Sequence, residues 1–299
     1  MALPDIDALN AQFGGGDRPR FTLSPGGLAL AQLAAAGAEA TVALQGGQVL
    51  GYTPPSGRPV LWASRLAYDA PGKAIRGGIP ICWPWFGPHP SEPSLPQHGF
   101  ARVAAWYVLA SGPASLRLGL SDNATTRALW PYRFSLDLLI TLGAGLEVAL
   151  TMRNTGDAPF TCSGALHSYF AVSDVAAVSV GGLNGTRYLD KVGGGEQAQQ
   201  GPVTICGEVD RIYLRTTAPC VIDDPAWDRR IVIEKLGSHT TVVWNPWVEK
   251  AARMADFADD EYPQMLCVET ANAADDSITL APGAAHRLRA TIRSETSAE

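Results

Sequence analysis

Lysine is nearly absent from this sequence: of 23 basic residues, four are lysine and 19 are arginine. Positive charge is therefore carried by planar guanidinium groups, which suit bidentate contacts to anions. Acidic residues outnumber them, and the net charge of −6 weighs against nucleic acid or an anionic membrane as the main partner. Charged residues make up only 17% of the 299 positions and hydrophobic residues 46%. A sizeable core can be buried, and disorder is not expected. No apolar run approaches the roughly 20 residues of a membrane helix. The opening MALPDIDALNAQFGGGD has neither the basic start nor the continuous apolar stretch of a secretory signal. Cysteine is scarce as well. Cys82, Cys162, Cys206, Cys220 and Cys267 are odd in number, widely spaced and without a CxxC pair, so neither a disulfide framework nor a zinc site is indicated. Buried, reduced thiols in a cytoplasmic protein are the expectation, and the sequons at Asn123 and Asn184 then carry no meaning.

Several catalytic signatures are missing too. There is no GxSxG, no SxxK serving a serine and no GxGxxG. The GGG runs at 14–16 and 193–195 lack the Lys-Ser/Thr of a phosphate-binding loop. His89, His98, His239 and His286 show no HxH or HExxH spacing, so no metal is suggested. What the chain does hold is a long succession of short apolar segments separated by Pro, Gly and Ser. RFTLS, LALAQLA, ATVALQ, GQVLGY and PVLWAS follow one another, then AAWYVLAS, SLRLGLSD, FSLDLLITLG and LEVALTMRNTG, then CVIDD, RIVIEKLG, TTVVWNP, MLCVETA, SITLAPG and HRLRATIR. Leu116, Leu118 and Leu120 alternate with Arg117 and Gly119, the period of a strand with one buried face. DIDALNAQF spaces Ile6, Leu9 and Phe13 as a short helix. EKAARMADFADDEY reads as helical or irregular. The turn spacing continues without a break in composition from about residue 18 to 293. The expectation is an all-β protein, one large antiparallel β-sandwich with a few short helices, in a single domain spanning 1–299.

Four segments could carry chemistry. The first is IRGGIPICWPWFGPHPSEPSLPQHGFAR, residues 75–102, a Pro- and aromatic-rich loop with Arg76 and Arg102 at its ends. Its tryptophans, Trp83 and Trp85, could plug one end of the sandwich or wall a sugar site, since aromatic faces suit the C–H groups of sugar rings. The second is GALHSYFAVSD. A lone histidine such as His167 among apolar neighbours is in general a satisfied core residue, and a catalyst less often. The third is MLCVETANA, where Glu269 follows an apolar strand and needs a partner if buried. The fourth is EVDRIYL, whose Asp210 and Arg211 could be an ordinary exposed pair.

Taken in order, IRGGIPICWPWFG, QHGFAR, LHSYF, VDRIY, CVE and a closing LAPG closely resemble the D-hexose-6-phosphate mutarotases, the glucose-6-phosphate 1-epimerases of the aldose 1-epimerase superfamily. The resemblance spans about residues 18–293, and the pairing of IRGGIP with QHGFAR is specific to the phosphosugar branch. It implies the galactose mutarotase-like supersandwich fold, and interconversion of the α and β anomers of hexose 6-phosphates by ring opening and reclosure. It implies His167 as general acid, Glu269 as general base, and Arg76, Gln97, Arg102 and Asp210 as substrate-binding residues. The expected partner is a small hexose 6-phosphate, with no cofactor, metal, nucleic acid or membrane, and the chain is expected to be a monomer. Asp210 could also help keep His167 protonated. The stretch between the arginines varies in such proteins, so His89 and Glu92 receive no role. Two other readings stay open: an aldose 1-epimerase for free sugars, and a non-catalytic sugar-binding protein on the same fold.

Overall fold

Alternating burial carries directly into extended chain. In Phe134–Leu142 every second residue is buried, and Leu146–Asn154 beside it follows much the same pattern. A computed structural model of the chain describes residues 5–55 and 57–296. Nine strands form one antiparallel sheet with Val203–Thr204 and Tyr107–Gly112 at its edges. Eight form a second, which runs from Glu196–Ala198 to Ile81–Cys82, with Tyr169–Ala171 added to the strand Met265–Asn272. A four-stranded meander covering Arg20–Leu23 to Gln48–Thr53 precedes them.

One continuous apolar cluster joins the two large sheets. Leu266, Val268 and Val243 of the eight-stranded sheet share it with Leu150, Ile231 and Leu288 of the nine-stranded sheet. The protein is thus an antiparallel β-sandwich with short helices, among them Ile6–Phe13, Ala124–Leu129 and Trp247–Ala251. Among the described residues, no helix is long and apolar enough to cross a membrane.

Some local expectations need correction. PVLWAS forms no strand; Leu61 and Ala63 make isolated bridges to Phe170 and Gly77. The Trp62 N–H donates to the Tyr169 carbonyl while its own carbonyl accepts from Gly78, so no single neighbour can build a ladder along it. The helix Ala124–Leu129 was not anticipated, although Asn123 and Thr126 spell out a reciprocal capping box. Of the cysteines, Cys206 is exposed and the other four are buried.

The strand that matters most for position is Met265–Asn272. It lies inside the eight-stranded sheet and is buried along its whole length. Its side chains alternate between faces: Leu266 and Val268 enter the core between the sheets. Cys267 and Glu269 therefore point to the opposite face of that sheet.

Candidate active site

On that opposite face the strand register sets the floor of a cleft. Val242 pairs with Glu269 on one side and Ile212 on the other, and Trp244 pairs with Cys267 and Asp210. Val242, Trp244, Ile212, Asp210 and Glu269 all line one cavity of about 470 Å³. His167 is brought in by an interruption. Leu166 pairs with Thr270 and Tyr169 with Cys267, so the two residues between them put His167 opposite Glu269. Its N–H donates to the Pro80 carbonyl at 3.0 Å, and the Tyr169 N–H donates to Gly78 at 2.9 Å. The loop that carries Arg76 thus clamps the backbone on both sides of the histidine.

His167 Nδ1 stands 3.4 Å from Glu269 Oε1. Both residues are buried, at 7% and 2% exposure, and His167 Nδ1 and Glu269 Oε2 have no hydrogen-bond partner among the described residues. Burial holds the His167 pKa well below that of free imidazole, helped by His98, Arg76 and Arg102. Burial also lifts the Glu269 carboxyl well above the usual range, and the Asp210 carboxylate adds to the lift. Both shifts favour the uncharged pair, with the shared proton on Glu269, over imidazolium and carboxylate. That corrects the idea that Asp210 keeps His167 protonated: its charge acts on Glu269. Asp210 itself is raised by burial against the opposing pull of Lys250 and Lys191.

All six residues singled out in the sequence, Arg76, Gln97, Arg102, His167, Asp210 and Glu269, line this one cleft. The arginines are held differently. Arg76 grips Asp256 through Nε and Nη2 at 3.3 and 3.2 Å, and its Nη1 donates to the Tyr169 hydroxyl at 2.9 Å. Tyr169 in turn stacks on His167, with rings 4.7 Å apart and nearly parallel. Arg102 donates through Nη2 to the Gln97 carbonyl at 2.7 Å, which leaves the rest of its guanidinium available to an anion.

Other cleft residues were not foreseen. Lys191 and Lys250 line it, two of the four lysines in the chain. Lys250 Nζ donates to Glu208 at 2.8 Å and lies 3.8 Å from Asp210. His98 also lines the cleft, on a left-handed backbone at φ 64°. Its Nδ1 accepts from the Gly87 N–H at 3.2 Å, while burial and the charges of Arg102 and Arg76 push its pKa down to about 3. The ring is neutral and carries its proton on Nε2. The signal for His98 lay inside QHGFAR, beside the residue singled out there. The tryptophans are support rather than wall. Trp83 is fully buried against Phe100, Trp130 and Phe134, and Trp85 braces the loop by donating to the Pro96 carbonyl at 2.8 Å. Phe86 and Trp244 supply the aromatic surface instead.

Such a cleft can exchange protons with two neighbouring oxygens while holding an anion in place. Comparison with known proteins gives it a context. The aldose 1-epimerase family model matches residues 30–293. A protein of Cenchrus ciliaris provisionally named glucose-6-phosphate 1-epimerase is 39% identical over 268 residues, 85% of this chain and 80% of its own. A protein of the same provisional name from Escherichia coli K12 is 37% identical over 79% of this chain and 81% of its own. A crystal structure from Salmonella typhimurium, described provisionally as a mutarotase, superimposes with a TM-score of 0.87 at 33% identity, over 97% of this chain and 99% of that one. With a match of that extent, and with the cleft assembled from the segments that prompted the resemblance, the chain belongs to the aldose 1-epimerase family.

Proposed function

We propose that the protein interconverts the α and β anomers of hexose 6-phosphates such as glucose 6-phosphate, with residues 18–293 working as one catalytic unit. The observation that carries this reading is the convergence of the His167–Glu269 pair and four cationic side chains, Arg76, Arg102, Lys191 and Lys250, on one cleft. Opening a pyranose removes a proton from the C1 hydroxyl and delivers one to the ring oxygen. Both oxygens sit on the same carbon, so the base and the acid that serve them have to be close neighbours. A single proton shared by Glu269 and His167 meets that need. After rotation about C1–C2 the open chain recloses on the other face, and the two groups exchange roles. Each well-placed group typically contributes roughly 10²–10⁴-fold.

The phosphate is the specificity handle. Guanidinium–phosphate hydrogen bonds are charge-assisted and geometrically selective. Arg102 and Arg76 receive the phosphate, with Gln97 and Asp210 holding sugar hydroxyls. A bound dianion also cancels two of the charges that keep His167 deprotonated. Binding thereby moves the pair toward imidazolium and carboxylate. In that arrangement Glu269 is the base toward the C1 hydroxyl and His167 the acid toward the ring oxygen.

The test is anomer exchange of glucose 6-phosphate beside free glucose, followed by NMR, with wild type and Arg102→Ala. Removing one charge-assisted contact that contributes about 1.5–3 kcal/mol raises KM for the phosphosugar roughly 10- to 100-fold and leaves glucose nearly unchanged. An equal effect on both sugars would show that the arginines are not a phosphate site and would leave the free-sugar epimerase as the reading.

A further inference from the structure

Cys267 takes no part in the proton transfers and does not line the cleft, yet it lies beside the groups that do. It lies two residues before Glu269 and so on the same face of its strand. One ligand-capable atom from each of His167, Cys267 and Glu269 lies within 4.8 Å of the other two. All three residues are more than nine-tenths buried, at 7%, 0% and 2% exposure. His167 Nδ1 and Glu269 Oε2 have no hydrogen-bond partner among the described residues. We propose that these three side chains bind a thiophilic divalent cation of the zinc class, and that the cation inhibits the enzyme.

Size, donor type and charge all support the site. An ion centred among three atoms no more than 4.8 Å apart lies within about 2.8 Å of each (4.8/√3). Shifts of roughly 0.5–0.8 Å then reach the roughly 2.0–2.3 Å bonds that zinc makes to N, O and S. Thiolate and imidazole select zinc-class ions over magnesium or calcium, which take oxygen ligands. Binding displaces the thiol proton of Cys267 and takes Glu269 as carboxylate and His167 as neutral imidazole. The dication is thus balanced by one thiolate and one carboxylate, a neutral unit that burial penalises little. Asp210 adds attraction, and Arg76, Arg102 and Lys250 oppose it. Protons compete with the ion for these ligands, so affinity falls as pH drops. Three protein ligands leave a fourth position facing the cleft, as in open zinc sites. The cation engages the imidazole lone pair and the carboxylate together, so neither can exchange a proton with a sugar.

The inhibition rests on the activity proposed above; the binding does not, and two measurements separate them. Both use protein carrying Cys206→Ser, because Cys206 is an exposed thiol that binds such ions on its own. Cd²⁺ is expected to give an ultraviolet thiolate-to-metal charge-transfer band that disappears in Cys267→Ala. Micromolar Zn²⁺ is expected to suppress anomer exchange, reversibly with EDTA, and Cys267→Ala to keep its basal turnover while needing at least 10-fold more Zn²⁺. Cys267→Ser serves as the second variant if the alanine protein folds poorly. Absence of the cadmium band from the Cys267-containing protein overturns the site. A band without inhibition overturns the inhibitory role alone.

Discussion

Glu269 is buried at a position where an ion would be costly, and this has a measurable consequence for stability. Its folded pKa is raised above the unfolded value near 4.5, chiefly by burial. Below that pH both states are protonated and the folded protein loses nothing. Above it the unfolded chain ionises while the folded one does not, so stability falls as pH rises toward the folded pKa. Glu269→Gln keeps the shape and removes the ionisation. The variant is expected to have a higher Tm than wild type at pH 7–8, with the gain shrinking as pH approaches 4.5, and to lose roughly 10²–10⁴ in turnover. Thermal melts across pH check the first part; a wild-type Tm equal to or above that of the variant at pH 8 contradicts the assignment. Little of this was visible in the chain. CVE shows a carboxylate after an apolar strand, but whether it is buried depends on Val242 and His167, which come from other segments.

At the scale of elements, the arginine loop holds the segment carrying His167 in place. Its glycines are needed where backbones nearly touch. A Cβ on Gly99, at φ +71°, would stand 2.1 Å from the Trp83 carbonyl oxygen, and one on Gly78 would stand 2.0 Å from that of Val49. Gly99→Ala is expected to cost on the order of 1–3 kcal/mol from backbone strain alone, more with the clash, read as a drop in denaturation midpoint. A midpoint unchanged within error would show that the loop gives way freely. Tyr169 connects this loop to the histidine through its stack on His167 and its bond to Arg76. Tyr169→Phe keeps the stack and loses the bond. It should raise KM for glucose 6-phosphate several-fold with little change in kcat, and leave free glucose unaffected. A matching fall in kcat for both sugars would assign the hydroxyl to the chemistry instead. The long strands were legible because alternation needs several residues to declare itself. Between residues 160 and 204 the strands are two to four residues long, too short for a period, and only their partners define them.

The whole molecule carries a net charge of −6 but gathers four cations at one cleft. Under the proposed function, attraction of a phosphosugar is local, and salt acts on it directly. The Debye length falls from about 10 Å at 0.1 M to about 3 Å at 1 M, so KM for the phosphosugar should rise with ionic strength while KM for glucose stays level. A flat salt profile for both would place the phosphate outside the cationic cleft. The sandwich could be read from alternation and turn spacing across the chain. The cleft could not, because its six anticipated residues lie in segments up to about 190 positions apart, and only the resemblance of their motifs grouped them. Lys191, Lys250 and Trp244 lie outside the four segments singled out for chemistry, and strand register brings Trp244 opposite Cys267 and Asp210. The most direct test of the central claim is the rate of anomer exchange of glucose 6-phosphate at equilibrium, measured by NMR for wild type, Glu269→Gln and His167→Ala. Exchange far above the spontaneous rate is expected in wild type, with a loss of roughly 10²-fold or more in each variant. Exchange at the spontaneous rate in wild type, or undiminished exchange in both variants, contradicts the claim.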